Sequence, residues 1–186
     1  TTTGAQQVRA QKTGLGLNYT LDGSDVSIAV VDSGIDANHK SFSSQAGKIA
    51  FSKDFTGENR TDDPYGHGTH VAAIAAGEGS PTQNAYEGIA PGSRLVNLRV
   101  LNSQGNGKVS NVLAALDWLM ANKGSYNIKV VNMSLGTPAI NSYEDDPICN
   151  AVKKLVNAGV VVVAAAGNNG KNAAGDKVYG AIHSPG

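Results

Sequence analysis

The chain has 186 residues, and its 15 lysines and arginines balance 15 aspartates and glutamates. This neutral balance gives no global attraction to nucleic acid or to an anionic membrane surface. Charged residues are 16% of the chain, too few for disorder driven by charge repulsion. A single cysteine, Cys149, excludes an internal disulfide and a multi-cysteine zinc site. The length suits one domain with its own core.

Short β-branched runs alternate along the chain with segments of helical periodicity. Strands are predicted at residues 26–31, 94–100, 128–133 and 159–165. Helices are predicted over residues 66–76, after a Ser110 cap, and from Asp146-Pro147 up to Gly159. This alternation predicts an α/β fold, a doubly wound parallel sheet with helices on both faces. Ligands of such sheets bind at the carboxyl ends of the strands.

Two polar motifs lie at the boundaries of these predicted elements, one after a strand and one at the start of a helix. Asp32 directly follows the first predicted strand within residues 32–36 (DSGID), and His67 opens the first helix within residues 66–72 (GHGTHVA). Taken alone, Asp32 could be an ordinary strand-end carboxylate and His67 a helix-capping histidine. Taken together, a carboxylate could fix the tautomer of the imidazole, which would then act as a general base.

These two motifs, taken in chain order, resemble those of the subtilisin-like serine proteases. Residues 88–91 (GIAP), 132–136 (NMSLG) and 164–169 (AAAGNN) match further family motifs in the same chain order. The resemblance extends from about Thr3 to Gly186. It implies the subtilisin-like variant of the predicted α/β fold, hydrolysis of peptide bonds, and secretion. The polar start of the chain, at residues 1–4, fits a processed mature terminus.

The resemblance also implies roles for individual residues. Asp32 would orient His67, and His67 would take the proton from a nucleophilic serine. The side-chain amide of Asn168 would stabilise the charge that develops on the scissile carbonyl oxygen. An extended substrate peptide would pair with two backbone segments on either side of it. These segments are Gly105, Asn106 and Gly107 on one edge, and Ser134, Leu135 and Gly136 on the other.

The nucleophile of the family belongs to a Gly-Thr-Ser motif, which this sequence lacks. Residues 1–186 therefore correspond to the N-terminal part of a single peptidase domain, a fold incomplete at its C-terminus and inactive alone. The chain is then either one piece of a nicked protease, whose complementary C-terminal segment or chain supplies the serine, or an isolated, truncated fragment. The alternative is a catalytically inactive relative that binds peptides. A nucleotide-binding domain is disfavoured, because the chain has no Walker motif.

Several remaining polar residues receive ordinary structural interpretations. Asp62, Asp63 and Tyr65 either line the substrate cleft, where the carboxylates would favour basic side chains, or belong to a solvated loop. His70 is expected to pack or bond locally, and Cys149 to lie in or near the core. His39 and His183 are expected on the surface or in loops. No metal site is predicted, no cofactor is required for the chemistry, and a structural calcium ion, common in the family, is assigned to no residue.

Overall fold

Helices and strands alternate along the chain, as the sequence predicts. The computed structural model describes residues 3–12, 14–79, 83 and 85–186. The helices are α1 (Ala5–Arg9), α2 (His67–Ala76), α3 (Val109–Asn122) and α4 (Pro147–Asn157). The strands are β1 (Ala10–Lys12), β2 (Asn18–Thr20), β3 (Ser27–Asp32), β4 (Ile49–Asp54), β5 (Arg94–Arg99), β6 (Ile128–Met133), β7 (Thr137–Pro138), β8 (Val161–Ala164) and β9 (His183–Ser184). Thr1 and Thr2, part of the suggested mature terminus, lie outside the described residues.

A central sheet forms the frame of the domain. In the described ranges it has five parallel strands in the order β4-β5-β3-β6-β8. The four predicted strands are confirmed to within two residues at each end. Strand β4 was not predicted; it is a mostly half-buried edge strand whose apolar run is only three residues long. The sequence analysis also missed the two-residue and three-residue strands, which pair in two small antiparallel sheets.

The core has two layers, one on each face of the sheet. Strand β3 is buried along its whole length and supplies both layers, because successive side chains point to opposite faces. Ala29 and Val31 join a cluster that includes apolar residues of α3 and α4. Ile28 and Val30 join a second cluster that includes residues of α2. Helices thus cover both faces, and the predicted doubly wound α/β fold is confirmed.

The two longer helices begin in different ways. Asp146 caps α4, because its carboxylate accepts hydrogen bonds from the backbone N–H groups of Ile148 (2.8 Å) and Cys149 (3.1 Å). Pro147 follows at the first helical position, as predicted. The predicted Ser110 cap of α3 is wrong. The backbone is extended at Lys108 (φ −105°, ψ 144°), so the helix begins at Val109 and Ser110 lies inside its first turn.

One edge of the sheet leaves apolar side chains in solvent. Strand β8 is the outermost strand beside β6. The exposed fractions of Val161 and Val163 are 60% and 52%, although both belong to a strongly apolar strand. An edge strand with uncovered valines can accept a further strand or a covering segment.

Among the described residues, no helix combines the length and the apolar character required to span a bilayer.

Candidate active site

A cleft of about 420 Å³ opens where β5 and β6 end. Its lining comes from the starts of α2 and α3 and from the turns that follow the two strands. The residues that line it are Tyr65, His67, Leu101, Gly105, Asn106, Gly107, Lys108, Val109, Val112, Ser134, Leu135, Gly136, Thr137, Pro138 and Ile148. All six predicted substrate-binding residues are among them. The cleft therefore lies at the carboxyl edge of the sheet, where the fold predicts a ligand site.

Asp32 and His67 meet at one end of this cleft. The Oδ1 atom of Asp32 lies 2.8 Å from Nδ1 of His67. The side chain of Asp32 is 1% exposed, whereas that of His67 is 41% exposed. With Nδ1 facing the carboxylate, Nε2 lies on the opposite side of the ring, away from Asp32. This is the orientation that a general base requires to reach a proton in the cleft.

The Asp32 carboxylate is in an unusual electrostatic environment. Burial raises its pKa, against the lowering effects of the contacts with His67 and with the Ser33 backbone N–H, 2.7 Å from Oδ1. The second oxygen, Oδ2, is buried and has no hydrogen-bond partner among the described residues. The folded chain therefore bears a desolvation cost at this carboxylate. Such a cost is typical of functional sites.

The start of α2 is fixed by side chains rather than by a standard cap. The Asp63 carboxylate accepts hydrogen bonds from the backbone N–H groups of Gly66 (2.8 Å) and Thr69 (2.7 Å), and from the Thr69 hydroxyl (2.7 Å). The Ser33 hydroxyl donates to Asp63 (2.8 Å) and accepts from the Gly68 N–H (2.9 Å). Through these contacts, Ser33 and Asp63 hold the residues on either side of His67 close to Asp32.

These contacts decide between the two interpretations of the residues before His67. Asp63 points into the helix start, and Asp62 forms an ion pair with Arg60 at 2.5 Å. Neither carboxylate lines the cleft, so the interpretation as cleft-lining acidic residues is wrong for both. Tyr65 does line it. Its ring covers Gly105, where an added Cβ would lie 2.4 Å from Cζ of Tyr65.

Arg99 is a residue of the site that the sequence analysis missed. It ends β5 beside Asp32 of β3 and Asp54 of β4, and it is fully buried. Its guanidinium donates to the Ser33 carbonyl oxygen at 3.0 Å, to Asp54 at 3.3 Å and to Glu58 at 2.5 Å. A charged residue that ends a buried strand was the available signal, because a fully buried charge requires partners.

The Arg99 network also reaches the substrate-binding turn. The Glu58 carboxylate accepts a hydrogen bond from the Ser103 hydroxyl at 2.6 Å. The hydrogen bond from Ser103, followed by that from Arg99, lowers the pKa of Glu58. Ser103 precedes Gly105–Gly107, so one buried cation connects this turn with the backbone beside Asp32.

Asn168 occupies a different environment from Asp32 and His67. It lies in the loop after β8, is exposed, and is not among the residues that line the cleft. The structure therefore brings Asp32 and His67 together, while it places Asn168 at the other side of the strand end that carries Ser134–Gly136. The predicted role of Asn168 remains a prediction.

The other histidines and the cysteine also have defined positions. His39 and His70 are exposed. His183 is not on a surface loop as predicted: it lies in β9, half-buried, and pairs with Pro138 of β7. The reason is that this pairing joins chain segments far apart in sequence. Cys149 is half-buried in α4, with Sγ 3.5 Å from Oγ of Ser184.

The described part of the chain contains no group of three or more His, Cys, Asp or Glu side chains that could hold a metal ion. Residues 80–82 and 84 lie outside the described residues.

Comparison with known proteins defines the family. The family model described as the subtilase family, Peptidase S8, matches residues 23–184. This match covers most of the chain, and the chain belongs to the subtilase family.

Individual relatives agree with this assignment. The chain is 37% identical over 163 residues to Subtilisin-like protease 3 of Pseudogymnoascus destructans, covering 84% of this chain and 37% of the relative. It is 36% identical over 163 residues to serine protease AprX of Bacillus subtilis, covering 81% of this chain and 35% of that protein. The chain thus spans little more than a third of the length of these two relatives.

A solved structure extends the agreement to three dimensions. The crystal structure of a cold adapted subtilisin-like serine proteinase superimposes with a TM-score of 0.66 at 31% sequence identity. The match covers 92% of this chain and 58% of that chain. The described fold is therefore that of part of a subtilisin-like domain.

Proposed function

We propose that the protein is a serine endopeptidase to which this chain contributes the aspartate and histidine of the catalytic triad. The observation that carries the proposal is the 2.8 Å contact between Asp32 and His67 at the end of a cleft bordered by two backbone segments. The buried carboxylate would hold the imidazole in one tautomer and stabilise the imidazolium. His67 would take the proton of the serine and then return it to the leaving amine.

The cleft supports an extended peptide as the substrate. The segments Gly105–Gly107 and Ser134–Gly136 lie on either side of it, and three of their residues are glycines, whose backbone no side chain of their own covers. A peptide between them would pair with both backbones, while apolar residues below, including Leu101 and Leu135, would accept its side chains. Asn168 would donate its amide to the oxyanion from the neighbouring loop.

The nucleophilic serine would come from a complementary C-terminal segment or chain. The exposed valines of β8 support this part of the proposal, because a further element placed on that edge would cover them. We propose accordingly that residues 1–186 form the N-terminal part of one peptidase domain, that it is inactive alone, and that the assembled enzyme is secreted. The proposed chemistry needs no cofactor; any structural calcium would serve stability.

A serine-directed phosphonate probe tests the proposal. The purified protein is treated with an aryl phosphonate and analysed by denaturing and native mass spectrometry. We expect the label on a species that carries a serine-bearing segment, and we expect His67→Ala to prevent labelling. His39→Ala is the matched control, because His39 is exposed and remote in sequence from the cleft.

The alternative function gives a different result in the same experiment. Absence of label in every species, with a peptide still bound in the cleft, would identify a catalytically inactive peptide-binding relative. Labelling that persists in the His67→Ala variant would contradict the proposed role of His67 in either case.

A further inference from the structure

His183 lies between the two segments that the proposed mechanism brings to the scissile carbonyl. A Cβ added to Gly136 would lie 2.8 Å from Cβ of His183, and a Cβ added to Gly167 would lie 2.8 Å from Cγ of its ring. Both glycines thus make room for the same histidine. Gly136 ends the substrate-binding segment, and Gly167 immediately precedes Asn168. The imidazole therefore fills the space between the cleft wall and the Asn168 loop.

Two hydrogen bonds attach His183 to this loop on both sides of Asn168. The His183 backbone N–H donates to the Ala166 carbonyl oxygen at 3.0 Å. The ring atom Nε2 lies 2.8 Å from Nδ2 of Asn169. With the amide in this orientation, Asn169 donates and Nε2 accepts; rotation of the amide would allow the reverse pairing.

The rest of the loop has few other supports. The described backbone hydrogen bonds nearest to these are at its ends, where the Ala165 N–H donates to Met133 and the Val178 N–H donates to Gly170. Residues 166–170 are exposed, so packing contributes little to their order. Strand β9, in turn, is anchored to β7, which directly follows the cleft segment.

We infer that His183 is a positioning residue that fixes the Asn168 loop against the Ser134–Gly136 segment and so directs the Asn168 amide toward the oxyanion. This inference rests on the proposed function. An oxyanion donor stabilises the transition state only from a defined position, because it must meet the oxygen where charge develops. In this inference His183 acts through Asn168.

A double-mutant cycle in the active, assembled protein tests this inference. His183→Ala is expected to lower kcat by about tenfold to 100-fold with KM changed less than about twofold, because a displacement of about 1 Å can cost 10²-fold. In a protein that already carries Asn168→Ala, the same substitution is expected to cause little further loss. Full additivity of the two losses, or a loss confined to KM, would overturn the inference.

Two further variants separate positioning from filling of space. His183→Gln retains a group that can bond to Asn169 and should recover part of kcat, whereas His183→Leu, of similar bulk, should not. His39→Leu controls for the removal of a histidine elsewhere on the surface. Equal activity of the Gln and Leu variants would contradict a role for the hydrogen bond.

A measurement without turnover keeps the inference testable if the proposed function fails. We expect ¹⁵N order parameters of residues 166–170 to fall in His183→Leu, from rigid values near 0.85 toward 0.6 or below, while those of residues 128–133 stay unchanged. Unchanged order parameters in the loop would overturn the inference. If Asn168→Ala has no effect on kcat but the loop still loosens, the oxyanion role of Asn168 fails and the contribution of His183 to loop order stands.

Discussion

The two halves of the candidate site are held in place in different ways. Asp32, Ser33 and Arg99 are all fully buried and are connected by hydrogen bonds at the centre of the sheet. Asn168 lies in an exposed loop at the sheet edge, next to a strand whose valines are in solvent. The buried polar groups of the first half are satisfied by hydrogen bonds, apart from one carboxylate oxygen of Asp32. The second half depends on a few contacts and on whatever covers β8.

This difference has a physical cause in the position of each half. A buried cation is tolerated only where carboxylates and carbonyl oxygens surround it, and Arg99 has Asp54, Glu58 and the Ser33 carbonyl oxygen as partners. The centre of the sheet can supply such a set, because several strands end there together. At the edge, one strand ends alone, and the loop relies on contacts such as those with His183.

The largest effect is expected for His67→Ala in the assembled protein. In subtilisin, loss of the triad histidine lowers kcat by about 10⁶-fold, and we expect a loss of the same order here. Steady-state hydrolysis of a chromogenic peptide measures it, with His39→Ala as the control. Turnover of His67→Ala within tenfold of the unmodified protein would exclude the first half of the site from catalysis.

The next effect concerns the stability of the buried half. Arg99→Met is expected to lower the free energy of unfolding by about 3–5 kcal/mol, because it leaves the Asp54 carboxylate and the Ser33 carbonyl oxygen without their buried partner. Urea denaturation measures the change. Arg60→Met is the matched control, since its ion pair with Asp62 is exposed and should contribute nothing measurable. Equal free energies of unfolding of the two variants would show that buried Arg99 does not stabilise the fold.

A smaller effect on the free energy of unfolding is expected at the start of α4. Asp146→Ala removes the cap of α4 and should cost about 1 kcal/mol, whereas Asp146→Asn should retain most of the stability. Burial alone would raise the pKa of Asp146. Hydrogen bonds from Cys149, Ser184 and Ile148 together outweigh this effect and lower the pKa. Its stabilising contribution is therefore present above the unfolded-state pKa near 3.9 and is lost as the pH falls through the folded-state value.

A pH series of urea denaturation curves for Asp146→Asn checks this sign. The variant should lack the part of the acid destabilisation that Asp146 causes, so its stability should converge with that of the unmodified protein as the pH falls. A difference between the two proteins that widens toward acid pH would contradict the lowered pKa.

The fold was predictable where local signals agree with tertiary structure. The runs that became β3 and β5 are almost wholly buried, and those that became β6 and β8 carry consecutive valines, so their composition alone indicates strands. Strand β4 reads IAFSKD, a mixed pattern whose pairing with β5 depends on contacts across the sheet. The pairing of β7 with β9 joins residues more than 40 positions apart, which no local pattern can specify.

The candidate site was predictable to the extent that motifs carry it. The DSGID and GHGTHVA motifs identified Asp32 and His67, and the structure places them in contact. The roles of Asp63 and Arg99 could not be predicted, because each depends on groups that only the folded chain brings together. The same reason explains why His183 was expected at the surface: its environment includes Gly136 and Gly167, which are distant from it in sequence.

The smallest predicted effect on the free energy of unfolding lies in the buried half and has the opposite sign. Asp32→Asn should remove activity and yet raise the free energy of unfolding at neutral pH. Burial raises the pKa of Asp32, so the folded state is favoured below the unfolded-state pKa near 3.9 and loses stability as the pH rises through the folded-state value. Asn has no such dependence. The stability gained by the variant should therefore be smallest near pH 4 and reach a plateau above the folded-state pKa.

Urea denaturation of both proteins between about pH 4 and pH 8 measures this gain, with Asp62→Asn as the control. The hydrogen bond and charge of Arg60 lower the pKa of Asp62, so its replacement should give no gain at neutral pH. Parallel curves for Asp32→Asn and the unmodified protein would mean that ionised Asp32 imposes no cost on folding. A gain that grows with pH would instead show that the buried half of the site gives up stability to keep a carboxylate beside His67, a cost that the exposed half does not bear.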